Sequence, residues 1–214
     1  MHVPPSILLV DDHEIVRQGC RLLFEQAGYT VAAEVSSGED AYEKHVKLKP
    51  QLTVMDLAMP GVGGIEAIRR IRSHSPQARI VVFTMRDHPL IVTRVLRAGV
   101  LGYVTKTNPP QILLEAVKRA LAGGFYLSQD IAQAIALSNI DIRHSPLASL
   151  TPRELEIFRM LSEGRSSSEI AETLSLSHKS VANYSLRVKQ KLGMRNVAEL
   201  VRLAMSEGLL EREA

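Results

Sequence analysis

Four short apolar runs in the first half of the chain each stop at a residue able to take part in phosphoryl chemistry. Ile7–Val10 precedes Asp11 and Asp12, Leu52–Met55 precedes Asp56, Ile80–Phe83 precedes Thr84, and Leu101–Val104 precedes Thr105 and Lys106. Such unalternating runs of aliphatic and β-branched residues fit strands of a parallel sheet covered on both faces. In an open parallel sheet, ligands bind in the crevice beyond the carboxyl ends of the strands. Three carboxylates, a hydroxyl and an ammonium are therefore expected to meet in one place.

Helical periodicity fills the intervals between the runs. Ile15, Gly19, Leu22, Leu23 and Gln26 follow the first run, Ile65, Ile68 and Ile71 the run ending at Met55, and Ile91, Val95 and Leu96 the run ending at Phe83. A further strand is expected at Thr30–Val35, with a helix from Gly38 to about Leu48 stopped by Pro50, and Pro109-Pro110 opens a last helix over Gln111–Ala122. Five β-α units argue a doubly wound, five-stranded parallel α/β domain over residues 1–125.

Beyond Leu127 the strand signals vanish. Residues 126–146 read as a linker with a short helix at Gln129–Leu137, and residues 147–214 as an all-α domain of four helices. Thr151-Pro152-Arg153-Glu154 supplies an N-cap, a proline at the first helical position and a Glu three residues after the cap. Ser166 or Ser167, Ser177 and Asn196 can cap the remaining helices.

A chain of 214 residues accommodates two domains, and 45% hydrophobic with 23% charged residues excludes disordered and fibrous classes. Without a membrane-length apolar stretch or signal-peptide core, the chain reads as soluble and cytoplasmic. The single Cys20, in an apolar helix, excludes an internal disulfide and reads as a buried inert thiol. Seven histidines are scattered singly without metal-ligand spacing. From Thr173 to Ala198 there is no acidic residue, whereas Lys179, Arg187, Lys189, Lys191 and Arg195 fall inside, which points to a polyanion at that surface.

Charge sets what the first cluster can do. A phosphoryl donor and an aspartate are both anionic, so attack by Asp56 needs a divalent cation to offset repulsion. Asp11 and Asp12, together with Asp56, supply hard oxygen ligands suited to Mg²⁺. Thr84 and Lys106 suit the phosphoryl oxygens, one by a hydroxyl bond and one by charge.

Leu8-Leu-Val-Asp-Asp12, Met55-Asp-Leu-Ala-Met-Pro-Gly61 with Gly64, Phe83-Thr84 and Gly102-Tyr-Val-Thr-Lys106 resemble the receiver domain of bacterial two-component response regulators, whose fold is flavodoxin-like. The resemblance implies that Asp56 is the phosphoacceptor. It also implies that Asp12, Asp56 and the backbone carbonyl of Ala58 bind Mg²⁺ directly, with Asp11 acting largely through water. Thr84 and Lys106 then contact the phosphoryl group, and Tyr103 is the switch aromatic that turns inward on activation. Such a domain assists its own phosphorylation and dephosphorylation only, so an enzyme is not expected. Met85 after the threonine restricts access to the site, and Ala58 and Arg86 occupy positions that tune hydrolysis. With no polar side chain at Ala58 to orient water, a phosphorylated state lasting minutes or longer is expected.

In the second domain, Ser166–Leu174 followed by Ser177–Leu192 has helix-turn-helix spacing around Ser175-Leu176-Ser177. Ile170, Ala171, Leu174, Leu176, Val181, Tyr184 and Val188 can face a core, leaving Lys179, Ser180, Ala182, Asn183, Leu186, Arg187 and Lys189 for outside contacts. Leu150-Thr-Pro-Arg-Glu-Leu-Glu156, Leu161-Ser-Glu-Gly164, Glu169-Ile-Ala171, Lys179-Ser-Val181 and Lys191-Leu-Gly193 resemble the LuxR-type DNA-binding domain of the NarL/FixJ subfamily. The resemblance implies a recognition helix in the major groove of double-stranded operator DNA, with Ala182, Asn183 and Leu186 facing bases.

The two resemblances together imply a transcriptional regulator controlled by phosphorylation of Asp56 by a sensor histidine kinase, and a homodimer when phosphorylated or DNA-bound. An aspartate-nucleophile phosphatase of the haloacid dehalogenase kind needs a second Asp at the position of Ala58, which argues against that enzyme. The remaining alternative is a constitutive DNA-binding regulator whose receiver serves as a protein-interaction module.

Overall fold

The structure is a computed structural model and describes residues 4–137, 145–207 and 209–210. By contacts the chain divides into two units, residues 1–138 and 139–214.

The first unit alternates strand and helix: β1 (Ser6–Val10), α1 (Glu14–Gln26), β2 (Thr30–Val35), α2 (Gly38–Leu48), β3 (Leu52–Met55), α3 (Gly64–His74), β4 (Ile80–Thr84), α4 (Pro89–Arg97), β5 (Gly102–Thr105), α5 (Pro110–Leu121), β6 (Tyr126–Leu127) and α6 (Gln129–Leu137). The strands form one parallel sheet in the order β2-β1-β3-β4-β5-β6. The strand order reverses between β1 and β3, which places the topological switch point where Asp11 and Asp56 leave the sheet.

Burial on both faces explains the unalternating runs. β3 and β5 are buried at every position, and β1 at all but its first. One face packs Ile7, Leu9, Val54, Val81 and Val104 against Cys20 and Phe24 of α1 and Leu113, Ala116, Val117 and Ala120 of α5. α2 contacts β1 and pairs with α3.

Two details differ from the sequence reading. The α1 periodicity is real, but Ile15 (81% exposed) and Leu22 lie on the solvent side, and the buried stripe is Cys20 and Phe24. Both stripes satisfy a 3.6-residue period, so spacing alone does not choose between them. The sheet also carries a sixth strand, Tyr126–Leu127, parallel to β5, and α6 packs on α4 and β5. Residues 126–137, read from sequence as the start of a linker, thus belong with the first unit, while the linker stretch 138–144 lies outside the described residues.

The second unit contains a 3-10 turn (Pro146–Ser149), α7 (Pro152–Ser162), α8 (Ser167–Thr173), α9 (His178–Leu192) and α10 (Val197–Ser206). Each α-helix begins at a predicted cap: Thr151 and Ser166 complete capping boxes with Glu154 and Glu169, and Ser177 and Asn196 accept from Ser180 and Glu199 N–H. Leu155, Phe158, Ile170, Leu174, Val181, Val188, Leu200 and Ala204 fill the core between these helices.

Candidate phosphoryl site and nucleic-acid interface

Strand register assembles the first site. Val10 is paired with Met55, so the next residues, Asp11 and Asp56, emerge side by side, and Thr84 is paired with Thr105, directly before Lys106. The Lys106 N–H donates to the Thr84 carbonyl (2.9 Å), which fixes the lysine beside the threonine. Gly64 is required for close approach: a Cβ there would sit 2.0 Å from the Asp56 carbonyl oxygen. The Glu39 carboxylate accepts from Val62 N–H (3.1 and 3.2 Å) and ties the loop after Asp56 to α2.

Asp56 is 1% exposed. Its Oδ1 accepts from the Leu57 and Ala58 N–H groups (2.6 and 3.2 Å), while Oδ2 receives Lys106 Nζ at 2.8 Å. The same Nζ lies 2.7 Å from Asp11 Oδ2. Burial works against the Lys106 charge, but its bonds to Asp11 and Asp56 outweigh burial and raise its pKa above the ordinary lysine value. Lys106 is therefore a fixed cation between two carboxylates.

Asp11, Asp12, His13 and Asp56 offer one ligand atom each, all within 4.8 Å of one another. Asp12 Oδ1 is buried and accepts no hydrogen bond among the described residues, and the His13 Nδ1 lies 3.0 Å from it, an ion pair when that ring is protonated. A buried carboxylate oxygen left without a hydrogen bond beside two more carboxylates fits a small hard cation such as Mg²⁺. His13 has no metal-ligand spacing in the sequence, yet the turn after β1 brings its ring to the cluster, 3.3 Å from Asp11 Oδ1. Ala58 lies half-buried in the loop after Asp56.

Thr84 is fully buried, with its hydroxyl 3.4 Å from the Arg86 N–H. Tyr103 is buried as well and points inward, donating its hydroxyl to the Arg86 carbonyl at 2.6 Å. Burial pushes the phenol well above its ordinary range, so it stays a neutral donor. Met85 is exposed next to Thr84. Burial also pushes the Cys20 thiol up to about 12, which makes it an inert core residue.

A further polar cluster flanks Lys106 and was not legible in the sequence. Thr105 Oγ1 donates to Asp130 Oδ2 (2.7 Å), and Asn108 Nδ2 donates to the same oxygen (3.0 Å). Asp130 stands on the first turn of α6, 25 residues after Thr105, and no spacing rule connects them.

The second site is a surface. On α9, Val181 and Val188 point into the core, Tyr184 is half-buried, and Lys179, Ala182, Asn183, Leu186 and Arg187 are exposed. Ser180 and Lys189 are half-buried, and the Ser180 hydroxyl is 2.9 Å from that of Ser177 at the helix cap. Leu186, at 56% exposure, is a large apolar side chain set among basic and amide groups. The turn before α9 is held from α7: Arg153 donates to the Leu174 carbonyl (2.8 Å) and pairs with Glu156 (3.0 Å). Lys191 closes the far end of α9 on buried Glu154 at 2.6 Å.

A parallel sheet with a carboxylate cluster at its switch point, joined to a helix-turn-helix with a basic outer face, defines a DNA-binding response regulator. Comparison with known proteins agrees: residues 7–118 match the response regulator receiver domain, and residues 148–204 match the bacterial regulatory proteins of the luxR family. The response regulator UvrY of Escherichia coli K12 is 39% identical over 211 residues, covering 97% of both chains. The response regulator GacA of Pseudomonas aeruginosa is 35% identical over 209 residues, covering 96% of this chain and 98% of its own. RcsB from Salmonella enterica serovar Typhimurium, solved on promoter P1flhDC in the presence of phosphomimetic BeF3−, is 28% identical with a TM-score of 0.63, covering 95% of this chain and 100% of that one. The chain belongs to the NarL/FixJ subfamily of two-component response regulators, which are phosphorylation-controlled transcriptional regulators. No helix among the described residues is long and apolar enough to cross a membrane.

Proposed function

We propose that this protein takes a phosphoryl group on Asp56 from the phosphohistidine of a cytoplasmic sensor-kinase domain, and then binds a two-half-site operator as a homodimer through α9. The observation that carries the reading is the asymmetric environment of Asp56. Two backbone N–H groups hold Oδ1, whereas Oδ2 faces Lys106 and is the oxygen that attacks phosphorus. The Oδ2–P bond forms as the P–N bond of the donor breaks, and the electron pair of that bond stays on the imidazole nitrogen.

Asp11, Asp12, Asp56 and the Ala58 carbonyl are the proposed holders of Mg²⁺, which supplies charge neutralisation and in-line positioning of the donor when bound. Lys106 exchanges its bond to Asp56 for one to a phosphoryl oxygen, and the Thr84 hydroxyl donates to another. Thr84 leads through Arg86 to the Tyr103 hydroxyl, whose ring already occupies the inward position that the switch reading gives to the active state, so movement of the threonine toward a phosphoryl oxygen acts on the hydrogen bond that secures the ring there. Ala58 offers no polar side chain to orient water, and the acyl phosphate is proposed to persist for minutes.

On α9, Asn183 suits the edge of an adenine and Ala182 or Leu186 a thymine methyl, while Lys179, Arg187 and Lys189, with Ser180, contact phosphates. Half-sites one helical turn apart fit a two-fold dimer. Incubation with Mg²⁺ and acetyl phosphate followed by peptide mapping tests the acceptor. The expected result is label confined to the peptide carrying Asp56 and absent from Asp56→Asn; label elsewhere, or retained in the variant, contradicts it.

A further inference from the structure

Lys106 sits on a loop gripped from outside the phosphoryl site. Thr105 precedes it and Asn108 follows two residues later, and both donate to Asp130 Oδ2. Thr105 is buried at the end of β5, its hydroxyl 2.8 Å from that of Thr107. The Ser128 N–H donates to the Tyr103 carbonyl (3.1 Å), so the β6-to-α6 turn is pinned to the strand that also carries the inward tyrosine. α6 contacts α4, the helix that follows Thr84 and its loop. Both arms that leave the phosphoryl site, one through Lys106 and one through Thr84, therefore end on α6. α6 is also the last helix of the first unit along the chain.

We infer that Asp130 is a positioning residue, a latch through which α6 is held to the Lys106 loop and its order is made to depend on whether Asp56 carries a phosphoryl group. This rests on the phosphoryl transfer to Asp56 proposed above. When Lys106 exchanges its bond to Asp56 for one to a phosphoryl oxygen, its loop shifts, and Thr105 and Asn108 shift with it. The Asp130 oxygen loses alignment to Thr105 and Asn108, and the first turn of α6 loses its side-chain tie to the Lys106 loop, keeping the backbone bond from Ser128 to Tyr103. Burial works against the Asp130 charge, yet hydrogen bonds, including those from Thr105 and Asn108, hold its carboxyl below the ordinary range. The latch is thus anionic near neutral pH, where its bonds are charge-assisted.

The test is amide hydrogen exchange over residues 128–137 in the full chain, with and without acetyl phosphate and Mg²⁺, with Asp56 label quantified in the same samples. Wild type is expected to exchange faster in α6 when labelled. Asp130→Ala is expected to raise α6 exchange about tenfold without phosphodonor, as loss of charged hydrogen bonds entails, and to remove the further increase on labelling. Asp130→Asn keeps an acceptor oxygen and is expected to restore the wild-type response; Thr105→Val is expected to resemble Asp130→Ala and to add little to it. Labelled wild type with unchanged α6 exchange overturns the latch, as does an Asp130→Ala protein that keeps the full labelling-dependent difference. Absence of label in wild type overturns the underlying phosphoryl transfer instead, and the latch with it.

Discussion

The phosphoryl site and the α9 surface solve opposite problems. At the first, Asp11, Asp56, Thr84 and Lys106 are withdrawn from water and bonded to one another or to backbone, so each side chain is fixed before any ligand arrives. At the second, Lys179, Ala182, Asn183, Leu186 and Arg187 are exposed, and only the helix that carries them is held, by Arg153 at one end and Lys191 at the other. Chemistry at a carboxylate needs preorganised charge. Recognition of DNA needs a rigid frame presenting side chains free to meet bases and phosphates. Substitutions should therefore act through mutual charge in the first region and through the frame or the ligand in the second.

The largest effect is expected for Asp12→Ala. It removes the buried oxygen that accepts no hydrogen bond among the described residues, so Mg²⁺ affinity should fall by roughly 100-fold, at least as much as loss of an outer-shell group costs, with Asp56 labelling falling in parallel. Thermal stability without Mg²⁺ should hold or rise, because a carboxylate leaves a like-charged cluster; a large drop in melting temperature would place Asp12 in a structural role.

Lys106→Met should cost about 3 kcal/mol of unfolding free energy, since it leaves Asp11 and Asp56 buried without their cation. Millimolar Mg²⁺ should restore much of that loss. Denaturant melts with and without Mg²⁺ check it, and equal destabilisation in both would break the account of a cation-balanced cluster.

In the helical unit, Asn183→Ala should cost about 1 to 3 kcal/mol on some operator sequences and little on others, whereas Lys179→Ala should weaken all of them and lower the salt slope by about 1. Titrations against a panel of operators at two salt concentrations separate the outcomes. Equal losses for Asn183→Ala on every sequence would remove it from base reading.

Glu154 links the frame to pH. Burial works against its charge, but the bonds from Lys191 and Thr151 prevail and hold its carboxyl below the ordinary range. Its contribution is full above the unfolded-state pKa and is lost as pH falls through the lower folded-state value, on the acid side of the ordinary carboxylate range. Glu154→Gln should cost about 2 kcal/mol at neutral pH and flatten that acid limb; an unchanged limb in calorimetry would assign it elsewhere. The smallest effect is expected at Ser175, which turns the chain into α9 at φ 49°. Ser175→Gly should stabilise the unit by up to about 1 kcal/mol by removing left-handed strain, read from the denaturation midpoint.

How far the sequence revealed these regions follows the same contrast. Strand ends are easy to read because burial on both faces leaves an uninterrupted apolar run, and Asp11, Asp56, Thr84 and Lys106 stand where each run stops. The helical unit is legible through its caps and its acid-free stretch. The solvent-facing part of the α1 apolar set and the unforeseen β6 have physical reasons. Ile15 and Leu22 share a period with the true core residues Cys20 and Phe24, and a two-residue strand is too short to show a pattern. The Asp130 contacts and the approach of His13 to the carboxylates depend on how loops close, which residue spacing does not encode.

The central claim is that Asp56 chemistry controls the α9 surface. Operator affinity and solution mass should be measured for wild type and Asp56→Asn, each with Mg²⁺ and acetyl phosphate. The account predicts that the phosphodonor tightens operator binding and shifts wild type toward a dimer, and leaves Asp56→Asn unmoved in both. Identical responses of the two proteins would contradict it.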